Sequence, residues 1–166
     1  MDNPILPSDL NQEDKGSLED SYLKFQLTPQ TPAILAMEYI QEVLVVPDTR
    51  ITLMPNMPEC VLGLLNRRNR VLWLIDLAQM LKLQPLDTTP QQYNVIIIRV
   101  GQVPVGLVVH TISGVARFKP EWIQSEKGLA TSFLSAYLDG CILQDQQILL
   151  VLNAEAIVYS PLLHNN

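Results

Sequence analysis

The residues with the clearest potential for chemistry form a basic cluster, Asn66-Arg67-Arg68-Asn69-Arg70, in an otherwise acidic chain. The cluster holds three of the eleven Lys and Arg residues. Three interpretations are open: a solvated hairpin turn, a contact for nucleic acid, or a contact for an acidic or backbone-rich protein surface, which the planar arginine fork suits. Nucleic acid is disfavoured because the net charge is −6 and no aromatics are interleaved with the cluster.

A second candidate surface is the segment 37–43, which carries acidic residues that complement the arginines of the cluster. We expect Ile40 and Val43 in the core and the polar residues around them, Glu42 included, in water. The simplest interpretation of this segment is a connection that crosses between strands.

Catalytic and metal-binding residue types are sparse. The only histidines are His110, at the end of an apolar strand, and His164, which we expect to be solvated in the C-terminal tail. Cys60 and Cys141 lack the spacing of a zinc site or a disulfide framework, so we expect small buried apolar residues. No Gly-rich phosphate loop is present. We therefore predict no catalytic residue, no metal, no cofactor and no enzymatic activity.

The composition predicts one globular domain preceded by a tail. Of 166 residues, 48% are hydrophobic and 17% charged, which favours a packed core. Residues 1–20 are acidic and poor in apolar side chains, so we expect a disordered tail followed by a domain at 21–160. No secretory signal or run of about 20 apolar residues is visible, which favours a cytoplasmic protein.

Short segments rich in β-branched residues predict a mainly β fold. Val71–Ile75, Val95–Val100 and Val103–Val109 are examples, each bounded by turn residues. Trp73 alternates with Val71 and Ile75, so we expect it to face a core, where truncation to Ala would cost about 3–5 kcal/mol.

An internal repeat organises these strands. Pro32, Ile40 and Val43 recur 72 positions later, and the segment 63–76 recurs 77 positions later as 140–153. Both copies of the second segment end in a polar residue, Asp76 or Asn153, which we predict to be the N-cap of a short helix. The pattern predicts two repeated barrel units, roughly 22–81 and 93–158, between which strands can be exchanged.

These residues resemble the CheW chemotaxis coupling family. The resemblance rests on 22–27, on Ile40-Gln41-Glu42-Val43, on 58–63, and on Asn66-x-Arg68 followed by Val71-x-x-x-Ile75-Asp76-Leu77. It continues through 93–100, 106–109 and 140–152. The most specific part is the Asn-x-Arg turn with its downstream Ile-Asp-Leu.

The resemblance implies two SH3-like five-stranded β-barrels packed side by side and a non-enzymatic adaptor. The implied partners are a CheA-type histidine kinase and the cytoplasmic tips of methyl-accepting chemoreceptors, with no nucleic acid and no direct insertion into a membrane. The adaptor would be cytoplasmic and recruited to receptor arrays through these partners. By position, Ile40, Glu42 and Arg68 would bind the receptor, and Gly63 and Val71 the kinase.

Departures from the family pattern leave the pathway open between chemotaxis, pilus motility and phototaxis. Arg67 and Asn69 replace the Leu and Gly of the usual Asn-Leu-Arg-Gly turn, and His110 replaces a common Asp. Asn tolerates a positive φ angle, so we expect the turn to persist. The alternative function is a β-barrel that binds a small molecule in the cleft between the two barrels.

Overall fold

The computed structural model describes residues 18–83, 90–125 and 132–164, and most of the predicted tail at 1–20 lies outside these ranges. The described residues are mainly in strands: β1 Asp20–Thr28, β2 Thr31–Ala36, β3 Ile40–Pro47, β4 Ile51–Thr52, β5 Val61–Arg67, β6 Arg70–Asp76, β7 Gln92–Val100, β8 Val103–Val109, β9 Thr111–Phe118, β10 Leu138–Gln144 and β11 Gln147–Leu152. The described ranges also contain four short α-helices: α1 Leu77–Met80, α2 Ser132–Ser135, α3 Ala154–Val158 and α4 Pro161–His164. The mainly β prediction is confirmed. No helix in the described ranges is long and apolar enough to cross a membrane.

The strands form two sheets with the same internal order. The first sheet runs β9-β1-β2-β11-β10, and the second runs β3-β7-β8-β6-β5-β4, where β4 has only two residues. The early strand β3 pairs with β7, and the late strand β9 pairs with β1. Each sheet therefore contains strands from both halves of the chain.

Each sheet surrounds its own small apolar core, and a third, larger core lies between the sheets. Strand β7 has an unbroken run of apolar residues that face two cores in turn. Val95 and Ile97 pack in the core of the second sheet, whereas Ile96 and Ile98 pack in the central core. A strand that is buried on both faces needs apolar residues at every position.

Positions paired by the repeat occupy corresponding places in the two small cores. The core of the second sheet contains Tyr93, Val46, Leu65, Leu72 and Leu74. The core of the first sheet contains, in the same order, Tyr22, Phe118, Ile142, Leu149 and Val151. This correspondence supports the interpretation of the sequence as an internal repeat.

The predicted helix caps are present in both halves. The side chain of Asp76 accepts a hydrogen bond from the backbone N–H of Gln79 at 3.3 Å, and Asn153 accepts one from Ala156 at 2.9 Å. Each bond satisfies a backbone donor that the first turn of a helix leaves without a partner. The N-cap prediction is confirmed.

Two expectations about the second sheet are wrong. The segment that begins at Ile40 is strand β3 and not a crossing connection, and Val43 is 43% exposed on its outer side. Trp73 is 38% exposed and Val71 is 62% exposed, so neither faces a core. Val71, Trp73 and Ile75 share one face of β6, and of these only Ile75 is covered by the central core. Leu72 and Leu74, on the opposite face, pack in the core of the second sheet.

Candidate functional site

The basic cluster lies at the tip of the β5–β6 hairpin. Arg67 pairs with Arg70, and the two residues between them, Arg68 and Asn69, have φ angles of 54° and 65°. Two central residues with positive φ are typical of the type I′ turn, which matches the twist of a two-residue hairpin. The expectation that Asn69 preserves the turn is confirmed, and Arg68 adopts the left-handed conformation as well.

Glu42 on β3 joins this tip through ion pairs across 25 residues of sequence. The Arg67 guanidinium donates twice, from Nη2 to Oε2 and from Nε to Oε1, the latter at 3.3 Å. Arg68 Nη2 approaches Glu42 Oε2 at 3.4 Å. The Arg67 and Glu42 side chains are 30% and 27% exposed, whereas Arg68 is 75% exposed. Arg67 is therefore the main partner of Glu42, and Arg68 remains largely in solvent.

The ion pair changes the acid–base properties of both partners. The hydrogen bond from Arg67 lowers the pKa of Glu42, and the charges of Arg67 and Arg68 add to that effect. The same hydrogen bond to Glu42 raises the pKa of Arg67. Glu42 and Arg67 are consequently both charged at neutral pH, so their ion pair persists under physiological conditions.

The residues predicted to bind the receptor lie near one another, and those predicted to bind the kinase differ in exposure. Ile40 starts β3 two residues before Glu42 and packs partly against the central core. Glu42 and Arg68 meet at the hairpin tip. Gly63 is buried, whereas Val71 is exposed beside the tip, opposite Asn66.

The sequence pattern matches the acids of segment 37–43 to the basic cluster but does not single out Arg67, and it places Trp73 on the wrong side of its strand. The outer face of the β5–β6 hairpin presents Val71 and then Trp73, which pairs with Leu64. Trp73 also borders a groove of about 220 Å³ whose other lining residues include Val61, Pro104 and Leu163. Tryptophan is enriched among the residues that contribute most of the binding free energy at protein interfaces. The arginine at the middle position of the Asn-x-Arg turn was the signal that could have identified Arg67.

Of two grooves on the described residues, neither gives specific support to a small-molecule site. The Trp73 groove is smaller than the roughly 300–1,000 Å³ of pockets for drug-sized ligands. A wider groove of about 500 Å³ is lined by Glu59, Cys60 and Gln79, among others, and the Gln79 amide donates to the Glu59 carboxylate at 3.5 Å. Its polar side chains thus satisfy one another in part.

The histidines and cysteines have structural surroundings. Cys60 and Cys141 are buried, as expected, and burial raises the pKa of the Cys60 thiol. The backbone N–H of His110 donates to the Gln26 carbonyl at 2.9 Å. His164 is exposed, and its ring Nε2 lies 3.1 Å from the Val158 carbonyl. Across the described ranges, no group of three or more His, Cys, Asp and Glu side chains is arranged to hold a metal ion.

Comparison with known proteins identifies the family. The family model of the CheW-like domain matches residues 21–161, most of the chain. The chain belongs to the CheW-like family. This family consists of scaffold and adaptor proteins and is generally non-catalytic.

Two CheW-like relatives show the extent of the similarity. A probable chemotaxis protein CheW from Rhizobium etli is 30% identical over 109 residues, which span 66% of this chain and 70% of the relative. The crystal structure of the scaffolding protein TtCheW from Thermoanaerobacter tengcongensis superposes with a TM-score of 0.70 at 20% identity. That match covers 82% of this chain and 90% of the other, and it establishes the shared CheW-like fold.

Proposed function

We propose that this CheW-like chain is a non-enzymatic adaptor that couples a CheA-type histidine kinase to chemoreceptors. The observation that carries the proposal is the hairpin tip, where Glu42, Arg67 and Arg68 form a partly exposed ionic cluster on a CheW-like scaffold. Such a cluster suits recognition of a protein surface. The pathway is chemotaxis, pilus motility or phototaxis, and the adaptor is cytoplasmic and reaches the membrane array through its partners.

In this proposal the receptor contacts Ile40, Glu42 and Arg68, which lie along β3 and at the neighbouring hairpin tip. The kinase contacts the same hairpin further along, at Val71, whose side chain is 62% exposed. Gly63 contributes through the backbone alone, because it is buried and has no side chain. One rigid hairpin between two partners would transmit a shift of the receptor to the kinase.

Coupling of this kind does not need tight individual contacts. Interfaces of about micromolar Kd, or roughly −8 kcal/mol, suffice when many copies assemble in an array. A receptor signal then changes the balance between active and inactive kinase by favouring one arrangement of the partners. We expect a few residues of the tip and the hairpin face to contribute most of the binding free energy.

The test is charge reversal at the most exposed arginine. Arg68→Glu should abolish binding of a receptor tip fragment from the same genome, without a change in melting temperature, because the side chain is 75% exposed. Arg117→Glu, at an exposed position on β9 of the other sheet, is the matched control and should bind normally. Normal binding of both partners by Arg68→Glu would remove Arg68 from the functional surface.

The adaptor role itself is tested with the wild-type chain. A pull-down from the cytosol of its own organism should retain a large histidine kinase, and a purified receptor tip fragment should bind in calorimetry. If neither partner binds the wild-type chain, the proposed function is wrong.

A further inference from the structure

The second half of the chain contains a hairpin that corresponds to the arginine-rich one and can be compared with it. The β10–β11 hairpin, 77 positions later, pairs Gln144 with Gln147, and the residues between them, Asp145 and Gln146, have φ angles of 50° and 64°. The two hairpins thus make the same turn. Because the second turn forms without a single arginine, the arginines of residues 67–70 are not required for the turn.

The acidic partner is also confined to one half of the molecule. The position 72 residues after Glu42 is Gly114, so the first sheet has no carboxylate that corresponds to Glu42. The turn is thus common to both halves, and the ionic cluster belongs to one. A feature that the shared architecture does not require is a candidate for a specific function.

Within the cluster the three arginines have different environments. Arg67 makes two hydrogen bonds to Glu42, and Arg68 makes a single contact at 3.4 Å. Arg70 is exposed and has no ion pair with any of the residues that the structure describes. The Glu42 carboxylate therefore offsets the charge of one arginine, mainly Arg67. The tip keeps a net charge of two positive units, carried by the exposed Arg68 and Arg70.

We infer that this tip binds a carboxylate-bearing segment of a partner protein, with Arg68 and Arg70 as the binding cations. Arg67 is a positioning residue: by donating two hydrogen bonds to Glu42 it limits the contact of that carboxylate with Arg68 to a single one at 3.4 Å and reduces its repulsion of the incoming acid. The guanidinium fork matches a carboxylate with two parallel hydrogen bonds. The inference rests on the proposed adaptor function and specifies the chemistry of the partner.

A protein partner fits this surface better than a nucleic acid does. Val71 follows Arg70 on β6 and has an exposed apolar side chain, and Trp73 lies further along the face of Val71. An acidic protein segment with an apolar neighbour matches both features. A polyphosphate would instead meet the Glu42 carboxylate and a chain of net charge −6.

The experiment replaces the tip residues of the β5–β6 hairpin with those of the β10–β11 hairpin. The exchange variant carries Arg67→Gln, Arg68→Asp, Asn69→Gln and Arg70→Gln, and Asp145→Asn in the other tip is the matched control. Binding is measured by calorimetry at low and high ionic strength. The probes are a chemoreceptor tip fragment and the CheA-type histidine kinase, both from the same genome.

The exchange variant should fold cooperatively and melt slightly below the wild type, because Glu42 loses both arginine partners. It should bind at least one probe about tenfold more weakly at low ionic strength. That difference should shrink at high ionic strength because salt screens exposed charges. Asp145→Asn should bind both probes like the wild type.

The role of Arg67 is tested separately. Arg67→Leu should weaken binding of the probe about threefold, because Glu42 then pairs with Arg68. Arg67→Lys should weaken it less, because Lys keeps the positive charge but lacks the planar fork of arginine. The same Leu variant should raise the pKa of Glu42 in an NMR titration, which a merely structural effect on folding would not do. Unchanged binding in Arg67→Leu would overturn the positioning role.

The outcomes separate the inference from the proposed function. If the wild-type chain binds neither probe, the adaptor function fails. If the wild type binds a probe and the exchange variant binds equally well at both ionic strengths, the carboxylate site alone is overturned. Binding of duplex DNA or anionic vesicles through the tip, without loss of protein binding in the exchange variant, would overturn it too.

Discussion

Gly63 and Gly140 occupy corresponding positions in the two sheets, and each lies against the backbone of a neighbouring segment. A Cβ atom at Gly63 would collide with the Thr52 carbonyl oxygen, and one at Gly140 would collide with that of Gln124. Both glycines follow an irregularity in strand pairing, on β5 and β10. The position predicted to bind the kinase is therefore also a packing requirement of the fold.

Replacement of either glycine should destabilise the protein. Gly63→Ala and Gly140→Ala should each cost about 1–3 kcal/mol, the usual range for overpacking, because the obstacle is backbone. Urea unfolding measures the loss, and Ser113→Ala, at an exposed strand position, should stay within about 0.5 kcal/mol of the wild type. Wild-type stability of Gly63→Ala would contradict the close approach to Thr52.

Trp73 and Leu74 should differ in their effect on stability although they are neighbours. Trp73→Ala should cost about 1–2 kcal/mol, because the side chain keeps partial contact with solvent. Leu74→Ala should cost about 2–5 kcal/mol, because Leu74 is fully buried in the core of the second sheet. Equal losses of unfolding free energy would place Trp73 in the core after all.

The Glu42 carboxyl should titrate below the ordinary range of glutamate. A folded-state pKa below the unfolded value means that the ion pair stabilises the fold above the ordinary carboxyl pKa and that this contribution disappears as pH falls through the lowered pKa. Carbon-detected NMR of the side chain should show this low midpoint. Arg68→Gln should raise the midpoint less than Arg67→Leu does, and the reverse order would make Arg68 the main partner.

Asp76 should show the opposite dependence on pH. Burial raises its pKa, partly offset by hydrogen bonds from the backbone of Gln79 and Ala78. The folded state therefore binds a proton more tightly than the unfolded state. Wild-type stability should rise, relative to Asp76→Asn, as pH falls from the raised pKa towards the ordinary value of aspartate.

Asp76→Asn should keep the cap at neutral pH, because Asn153 caps the corresponding helix in the other half. Asn153→Ala is the comparison and should cost about 1 kcal/mol through loss of the cap. Both effects are read from urea unfolding across a pH series. A large loss of stability in Asp76→Asn at neutral pH would show that the charge itself is needed.

Local patterns predicted much of the fold. The caps at Asp76 and Asn153 depend only on residues within three positions, and the repeat preserves the order of strands in both halves. The tolerance of Asn69 for a positive φ is likewise a property of the residue and its turn. The resemblance to the CheW family added the adaptor hypothesis and the residues expected to serve it.

Long-range packing decided the rest. Strand alternation separates Trp73 from Leu74, but it does not say which of the two faces is covered, because cover comes from segments distant in the sequence. The same holds for Arg67 and Glu42, which the curvature of the second sheet brings together across 25 positions. The sequence by itself determined the strands, the caps and the basic turn. Only the tertiary structure decided which arginine holds the carboxylate and which remains exposed, because that choice depends on how the sheet folds β3 against the hairpin tip.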